Sequence, residues 1–217
     1  MSIPILSMED YDAILDALDN EDTDIILKYF KKYDIDPLTG LLDAPRIDHI
    51  DNELHTYLDY AISYNLTNVI DMFIDDLNLE INDDIIARSL VLHNLDSYKY
   101  LCNLGYIPDS ETLKIAVQLC YGEICDEILC NDSELIDSIE EIDIEYMYSM
   151  DISEETIETV KVLFNYGVKP YLFSKFLSIL KEQKDTTPDG DDDVEIHIIN
   201  EIIDILESNS VISENDE

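Results

Sequence analysis

Apolar residues recur at steps of three and four along this chain, and that spacing constrains the fold more than any other feature. One such stripe consists of Leu66, Val69, Ile70, Phe73 and Ile74. This spacing places apolar side chains on one face of an α-helix, whereas a half-buried strand alternates at every second residue. Five glycines and six prolines are also too few for the many turns of a β-rich fold. The sequence therefore predicts an all-α fold.

Five segments share one internal pattern. Each has an anchor residue, an apolar pair eight and nine positions later that is half lost in two segments, and a second apolar pair twelve and thirteen positions later. The anchors are Ala17, Ala61, Ser89, Ala116 and Asp151. A repeated pattern of this kind predicts stacked helical hairpins, in which each unit covers the apolar face of its neighbour.

Two of these segments also end alike. Asn103 and Asn165 are each followed two positions later by glycine, Gly105 or Gly167, and Pro108 or Pro170 comes three positions after that. The glycine favours the left-handed conformation that ends a helix, and the proline suits the start of the next one. We expect Asp109 or Ser110 to cap the helix that follows.

The pattern resembles the ankyrin repeat over roughly residues 13–182, with a small residue in the first helix, apolar pairs in the second and a closing glycine. The Thr-Pro-Leu-His opening of that family is absent, and the anchors are spaced by 44, 28, 27 and 35 residues, where the family centres near 33. The resemblance implies a solenoid of helix-turn-helix repeats with few or no β-hairpin fingers. The Ile-, Asn- and Tyr-rich style is similar to repeat proteins of large DNA viruses.

The predicted organisation has four parts. Residues 1–182 form the repeat array, interrupted by a long connection near 34–53 that contains Pro37, Gly40 and Pro45. Residues 183–193 form an acidic flexible loop, and residues 194–209 form a helix that caps the array. Residues 210–217 form a disordered tail.

The charge balance restricts the partners. The chain has 51 acidic residues against 12 lysines and arginines, a formal net charge of −39. Nucleic acids and anionic membranes bind positive patches, so the expected partner is a protein with a basic surface. The first residues lack the basic start and apolar run of a signal peptide, and no run is long enough for a membrane span. We expect an intracellular protein, cytoplasmic or nuclear.

No motif predicts a metal, a cofactor or catalysis. An EF-hand loop starting at Asp185 would have Ile196 where the bidentate glutamate belongs. Cys120, Cys125 and Cys130 step by five residues, which scatters their thiols around a helix, and each lies in an apolar stripe typical of buried thiols, as Cys102 does. No nucleophile elbow or glycine-rich phosphate loop occurs. The sequence predicts a non-enzyme without cofactors.

Acidic residues next to the predicted inter-helix turns form the candidate site. They are Asp75, Asp76, Asp83, Asp84, Asp109, Glu111, Asp132, Glu134, Glu154 and Glu155. In a solenoid these turns align along one edge, which we call the acidic ridge. The ridge predicts a module that binds a protein partner, or alternatively a nucleic-acid mimic that inhibits a basic DNA- or RNA-binding protein. Carboxylates that merely cap and solvate turns, an enzyme, and a purely structural protein are the other readings.

Overall fold

The computed structural model describes residues 6–38, 56–147, 152–186 and 193–213. These residues are all-α and contain no β-strand, which confirms the predicted fold class at that level. Most of the connection predicted near 34–53, the middle of the loop predicted at 183–193, and the last four residues of the tail predicted at 210–217 lie outside them. Asp151, the fifth predicted anchor, does so as well.

The chain forms two compact units, here called unit 1 (Met1–Ile107) and unit 2 (Pro108–Glu217), where the sequence predicted one array. The described α-helices of unit 1 are α1 (Met8–Asp19), α2 (Thr23–Tyr33), α3 (Tyr57–Ser63), α4 (Thr67–Leu77), α5 (Asp83–Val91) and α6 (Leu95–Asn103). Those of unit 2 are α7 (Ser110–Gln118), α8 (Gly122–Asn131), α9 (Glu141–Met147), α10 (Glu154–Asn165), α11 (Ser174–Thr186) and α12 (Asp193–Ser213). Unit 2 also contains the 3-10 helices Ser133–Ser138 and Pro170–Phe173.

In each unit, several helices that are two apart in the chain pack against each other. In unit 1, α2 contacts α4 and α3 contacts α5, while α1–α2, α3–α4 and α5–α6 pack as consecutive pairs. In unit 2, α7 contacts α9, α8 contacts α10, α9 contacts α11 and α10 contacts α12. The apolar stripes fill these seams, because a helix with one apolar face must bury that face against a neighbour.

Four hairpins share one turn. The residue four positions after each anchor has a positive φ of 51–57°, and these residues are Glu21, Asn65, His93 and Cys120. The next residue donates its backbone N–H to the carbonyl oxygen of the anchor at 2.8–3.0 Å in all four turns. The anchors Ala61, Ser89 and Ala116 are fully buried, and Ala17 nearly so. A small anchor is therefore required because its backbone and side chain lie where the two helices meet.

The predicted helix ends are present at both glycines. Gly105 and Gly167 have φ values of +110° and +85°, a region that glycine enters without steric cost. The Asp109 carboxylate accepts hydrogen bonds from the backbone N–H groups of Glu111 and Thr112, so Asp109 caps α7. The helices before Gly105 and Gly167 therefore end where the sequence pattern predicted.

The C-terminal helix is longer than predicted. Helix α12 runs from Asp193 to Ser213, and its residues 210–213 extend into the segment that the sequence predicted as disordered. Helix α11 likewise continues to Thr186, three residues past the predicted start of the acidic loop. Helix α12 packs on α10 and α11 and buries Ile199, Ile202 and Leu206. A helix anchored by such an apolar face propagates beyond its last buried residue, because each added residue gains a backbone hydrogen bond.

Candidate interaction surface

Tyrosine hydroxyl groups donate hydrogen bonds to several carboxylates of this chain, which has few lysines and arginines. In unit 1, Tyr60 on α3 donates a hydrogen bond to Asp19 of α1, and Tyr100 on α6 donates one to Asp71 of α4. In unit 2, Tyr166 after α10 donates to Asp126 of α8 at 3.0 Å. Each bond joins two hairpins, so phenols take a role that lysine or arginine would fill in a less acidic protein.

These phenols remain protonated donors over the physiological pH range. Burial, the hydrogen bond to Asp71 and the negative charge of Asp71 together raise the pKa of Tyr100 to about 12. Burial and the Asp19 carboxylate raise the pKa of Tyr60 in the same way. Within the first hairpin, hydrogen bonds from Tyr33 and Ser7 lower the pKa of Asp10. The pairs are therefore phenol–carboxylate hydrogen bonds and not phenolate ion pairs.

Unit 1 contains an ion pair whose carboxylate is buried. Asp59 is 2% exposed and lies in the first turn of α3, where its carboxylate accepts the backbone N–H of Thr56 at 2.9 Å. Its other oxygen accepts from the Arg88 guanidinium of α5 at 2.6 Å. One signal for this site is visible in the sequence, since Thr56 and Asp59 have the spacing of a capping box.

Unit 2 contains a comparable buried carboxylate with a neutral partner. Asp143 on α9 is 3% exposed and accepts the backbone N–H of Glu140 at 2.9 Å. Its other oxygen accepts from the side-chain amide of Gln118 on α7 at 2.8 Å. The sequence prediction missed both buried aspartates, because one carboxylate among 51 acidic residues carries no distinguishing signal.

The unit 1 part of the acidic ridge lies at α4 and α5. Asp75 and Asp76 are exposed in the last turn of α4, and they line a groove of about 420 Å³ with Glu21 and Asp71. The sequence prediction missed these last two carboxylates, since neither belongs to the predicted turn clusters. Asp83 and Asp84 begin α5, and their side chains lie outside the described part of the chain.

Four ridge residues of unit 2 flank helix starts. Asp109 caps α7, and Glu111 in its first turn forms an exposed ion pair with Lys114 at 3.7 Å. The Asp132 carboxylate caps the 3-10 helix Ser133–Ser138 by accepting the backbone N–H of Glu134 at 3.1 Å. Two of these carboxylates are thus local caps, which agrees with the reading that part of the ridge solvates and terminates turns.

The remaining ridge residues, Glu154 and Glu155, are exposed in the first turn of α10. Hydrogen bonds from Ser153 and from a backbone N–H lower the pKa of Glu155. Glu154 lines a groove of about 650 Å³ between α10 and α12, together with His197. An ion pair between Lys161 and Glu201 crosses from α10 to α12 there at 2.7 Å.

Exposed apolar side chains are a second surface feature that the ridge prediction did not include. On α9, Ile142 is 51% and Tyr146 is 53% exposed, and Tyr171 of the neighbouring 3-10 helix is 66% exposed. Scattered apolar residues are ordinary on protein surfaces, whereas neighbours on one face mark interaction sites. The helical periodicity contains the signal for the α9 pair, because Ile142 and Tyr146 are one turn apart.

The described residues include no group of His, Cys, Asp or Glu side chains arranged to hold a metal ion. Half of the EF-hand-like segment, residues 187–192, lies outside them. Among these residues the four cysteines form no disulfide; Cys120 and Cys125 are buried as predicted, whereas Cys130 is exposed and Cys102 half-buried. Cys130 faces water because it lies on the outer side of α8, next to the buried Leu129. No described helix has the length and apolarity needed to cross a membrane.

Comparison with protein-family models, with curated proteins and with solved structures found no match for this chain. The resemblance to ankyrin repeats and to viral repeat proteins therefore stays a prediction based on the sequence pattern. Function has to be proposed from the residues themselves.

Proposed function

We propose that this protein is a non-catalytic interaction module whose ankyrin-like solenoid stacks present an acidic surface to a protein partner. The expected partner has a basic surface. Such a module needs a rigid scaffold, a surface of one dominant charge, and no reacting groups.

The repeat architecture is supported by two features of the hairpins. The same left-handed turn residue and the same backbone hydrogen bond to the anchor recur in four hairpins. Helices two apart in the chain pack together within each unit, as they do when hairpins stack in one direction. Both features are expected of a solenoid, and neither is required of an irregular helical bundle.

One observation carries the functional proposal. No lysine or arginine occurs between Lys114 and Lys161, and carboxylates in that interval project into water from α8, from α10 and from the turns beside them. The exposed members are Glu123, Asp126, Glu127, Asp132, Glu134, Asp137, Glu140, Glu141, Glu154, Glu155 and Glu158. A surface of one sign accelerates encounter with an oppositely charged partner and repels wrong ones.

A test compares capture of cellular proteins by the full chain and by two charge-matched variants. The test variant carries Glu123→Gln, Glu127→Gln and Glu158→Gln within the acidic interval. The control carries Glu80→Gln, Asp96→Asn and Asp204→Asn, which are also exposed and remove the same charge. We expect a basic protein to be retained by the wild type and the control and lost by the test variant. Equal retention by all three proteins would contradict a role for this surface.

The alternative of a nucleic-acid mimic is favoured by the same exposed carboxylates, since they can stand in for phosphates in the groove of a DNA- or RNA-binding protein. Salt distinguishes the two proposals. Binding through charge alone collapses between low and moderate salt, whereas an interface with a desolvated apolar centre survives. The capture is therefore run at both salt levels, and displacement of the captured protein by duplex DNA or by RNA would favour mimicry.

A further inference from the structure

The exposed face of α9 has the composition of a docking site for one kind of partner segment. We propose that Ile142 and Tyr146 of α9, together with Tyr171, bind a basic amphipathic segment of the protein partner. This inference rests on the proposed function and adds to it the class of segment that is recognised.

Helix α9 has apolar residues on its exposed face as well as on its buried face. Its inner side buries Asp143, Ile144 and Met147, each at most 3% exposed. Its outer side presents Ile142 and Tyr146, which lie four residues apart and therefore on the same face. An outward helix face normally bears charged residues, whereas this seven-residue helix has two half-exposed apolar residues there in the described part of the chain.

The surroundings hold this face in place. The 3-10 helix Pro170–Phe173, which carries Tyr171, packs against α9, and α11 packs against it too. Glu145 of α9 forms an ion pair with Lys175 at the start of α11. The buried bond between Asp143 and Gln118 ties α9 to α7. A surface fixed on three sides binds with little loss of conformational entropy.

The charge around this face selects the occupant. Glu140 and Glu141 at the start of α9 are exposed, as is Asp137 just before them. The two nearby lysines, Lys169 and Lys175, are already engaged by Asp137 and Glu145. A wholly apolar partner would strip water from Glu140 and Glu141 without compensation. Lysine or arginine side chains beside an apolar stripe would satisfy both the carboxylates and the apolar residues.

Aromatic rings strengthen this preference for a cationic partner. Tyr146 and Tyr171 are 53% and 66% exposed, and lysine or arginine is attracted to the face of an aromatic ring. The first hairpin shows the same chemistry internally, where Lys32 lies 4.4 Å from the ring centroid of Tyr33. A second copy of this chain would bring another net charge of −39 to the contact and is therefore disfavoured.

The test uses two synthetic helical peptides of equal length and equal positive charge. One has leucines along one face, and the other has serines at those positions. Binding of each to the full-length protein is measured by fluorescence anisotropy at moderate salt. We expect the leucine peptide to bind about tenfold more tightly, as burial of two partly exposed side chains would give.

Matched variants show which residues account for the tighter binding of the leucine peptide. Ile142→Ser with Tyr146→Ser, and separately Tyr171→Ser outside α9, are expected to abolish the preference for the leucine peptide while leaving weak binding of the serine peptide unchanged. Ile107→Ser with Tyr64→Ser removes apolar side chains that are 83% and 52% exposed and is expected to leave the preference intact. Circular dichroism checks that each variant is folded, and Tyr171→Ser decides the matter if the α9 variant is not.

Three outcomes overturn parts of the proposal separately. Equal binding of both peptides to the wild type would reject docking at α9 and leave the acidic interaction module standing. Binding of neither peptide would reject both. Concentration-dependent dimerisation that is abolished by the α9 variant would show that a second copy occupies this face instead.

Discussion

Asp59 of unit 1 and Asp143 of unit 2 are buried in similar ways, but their carboxylates bind different side chains. Each lies in the first turns of a short helix, accepts one nearby backbone N–H, and reaches a side chain on another helix of its own unit. Arg88 supplies a cation to the first, and Gln118 supplies only an amide to the second. Hydrogen bonding alone therefore suffices to bury a carboxylate here, and the arginine adds charge neutralisation to a site that unit 2 builds without it.

Removing each partner separates the two contributions, and Arg88→Met has the largest expected effect. Loss of the guanidinium leaves Asp59 buried without its counter-charge, which costs about 3 kcal/mol of unfolding free energy, the lower part of the range because the arginine is partly exposed. Gln118→Met removes one hydrogen bond that a neutral amide donates to the Asp143 carboxylate and costs about 1.5 kcal/mol. Urea unfolding of both variants measures the difference. Equal losses would show that the charge of Arg88 contributes nothing beyond its hydrogen bond.

The next comparison concerns the contacts made by the second helix of a hairpin. Gly122 begins α8 and is buried against α10, where an added Cβ would lie 2.8 Å from Glu158 Cγ and 3.0 Å from the Thr159 backbone nitrogen. Thr67 begins α4 of unit 1 at the same point of the hairpin and is half-buried. Unit 2 thus requires glycine where unit 1 accommodates a side chain, because the backbone of α10 lies against Gly122.

Substitution of both positions by valine tests this requirement. Gly122→Val forces α8 and α10 apart and is expected to lower the unfolding free energy by about 2 kcal/mol. Thr67→Val keeps the side-chain volume and is expected to change it by less than about 0.5 kcal/mol. Thermal melts of the two variants, compared with the wild type, provide the measurement. A neutral Gly122→Val would mean that the close contact does not constrain the packing of α8 on α10.

The phenol–carboxylate bonds differ in burial between the units, and Tyr100→Phe probes the more buried type. Loss of the bond to Asp71 is expected to cost about 1 kcal/mol at neutral pH. The pKa of Tyr100 is raised to about 12 in the folded protein. The contribution of Tyr100 to the free energy of unfolding is therefore fully present below its pKa in the unfolded state, near 10, and is lost as the pH rises through about 12.

Tyrosinate absorbance and melting temperature, recorded across this alkaline range, check the assignment. Tyr100→Phe should remove one late-titrating tyrosine and flatten the alkaline fall in melting temperature. Tyr166→Phe in unit 2, at an exposed bond to Asp126, should change both curves less. An unchanged titration in Tyr100→Phe would mean that another tyrosine accounts for the late step.

The helical class and the glycine turns were predictable, because periodicity and φ preference are local properties. Gly105 and Gly167 fall in the left-handed region that the sequence assigned to them. The turns at Glu21 and Cys120 were not predictable, since neither residue type favours positive φ and the stacked helices impose it. Local chemistry fixes a turn when glycine is present, and tertiary packing fixes it otherwise.

The candidate site was predictable only in outline. Charge composition pointed to acidic residues near turns, and Asp75, Asp76, Glu154 and Glu155 are indeed exposed. The buried role of Asp59 depends on a partner 29 positions away, which no local pattern encodes. The exposed face of α9 was missed because periodicity shows that apolar residues share a face and does not show whether a neighbour covers it.

The smallest expected effects come from the hairpin turn that both units share, and here the two units should respond with opposite signs. Glu21 in unit 1 is exposed at φ 51°, so Glu21→Gly relieves a strained conformation and should stabilise the protein by about 0.5 kcal/mol, despite the greater chain entropy of glycine.

Cys120 in unit 2 has nearly the same φ of 57°, but its side chain is 4% exposed and its sulfur accepts a hydrogen bond from Thr156 at 3.6 Å. Cys120→Gly gains the same relief and loses a buried side chain, for a net loss of about 0.5 kcal/mol. Chemical denaturation of both variants decides between two views of the turn. Stabilisation by both substitutions would mean that backbone strain outweighs side-chain packing at both turns. Opposite signs would mean that unit 2 retains the strain because the side chain of the strained residue also packs between helices.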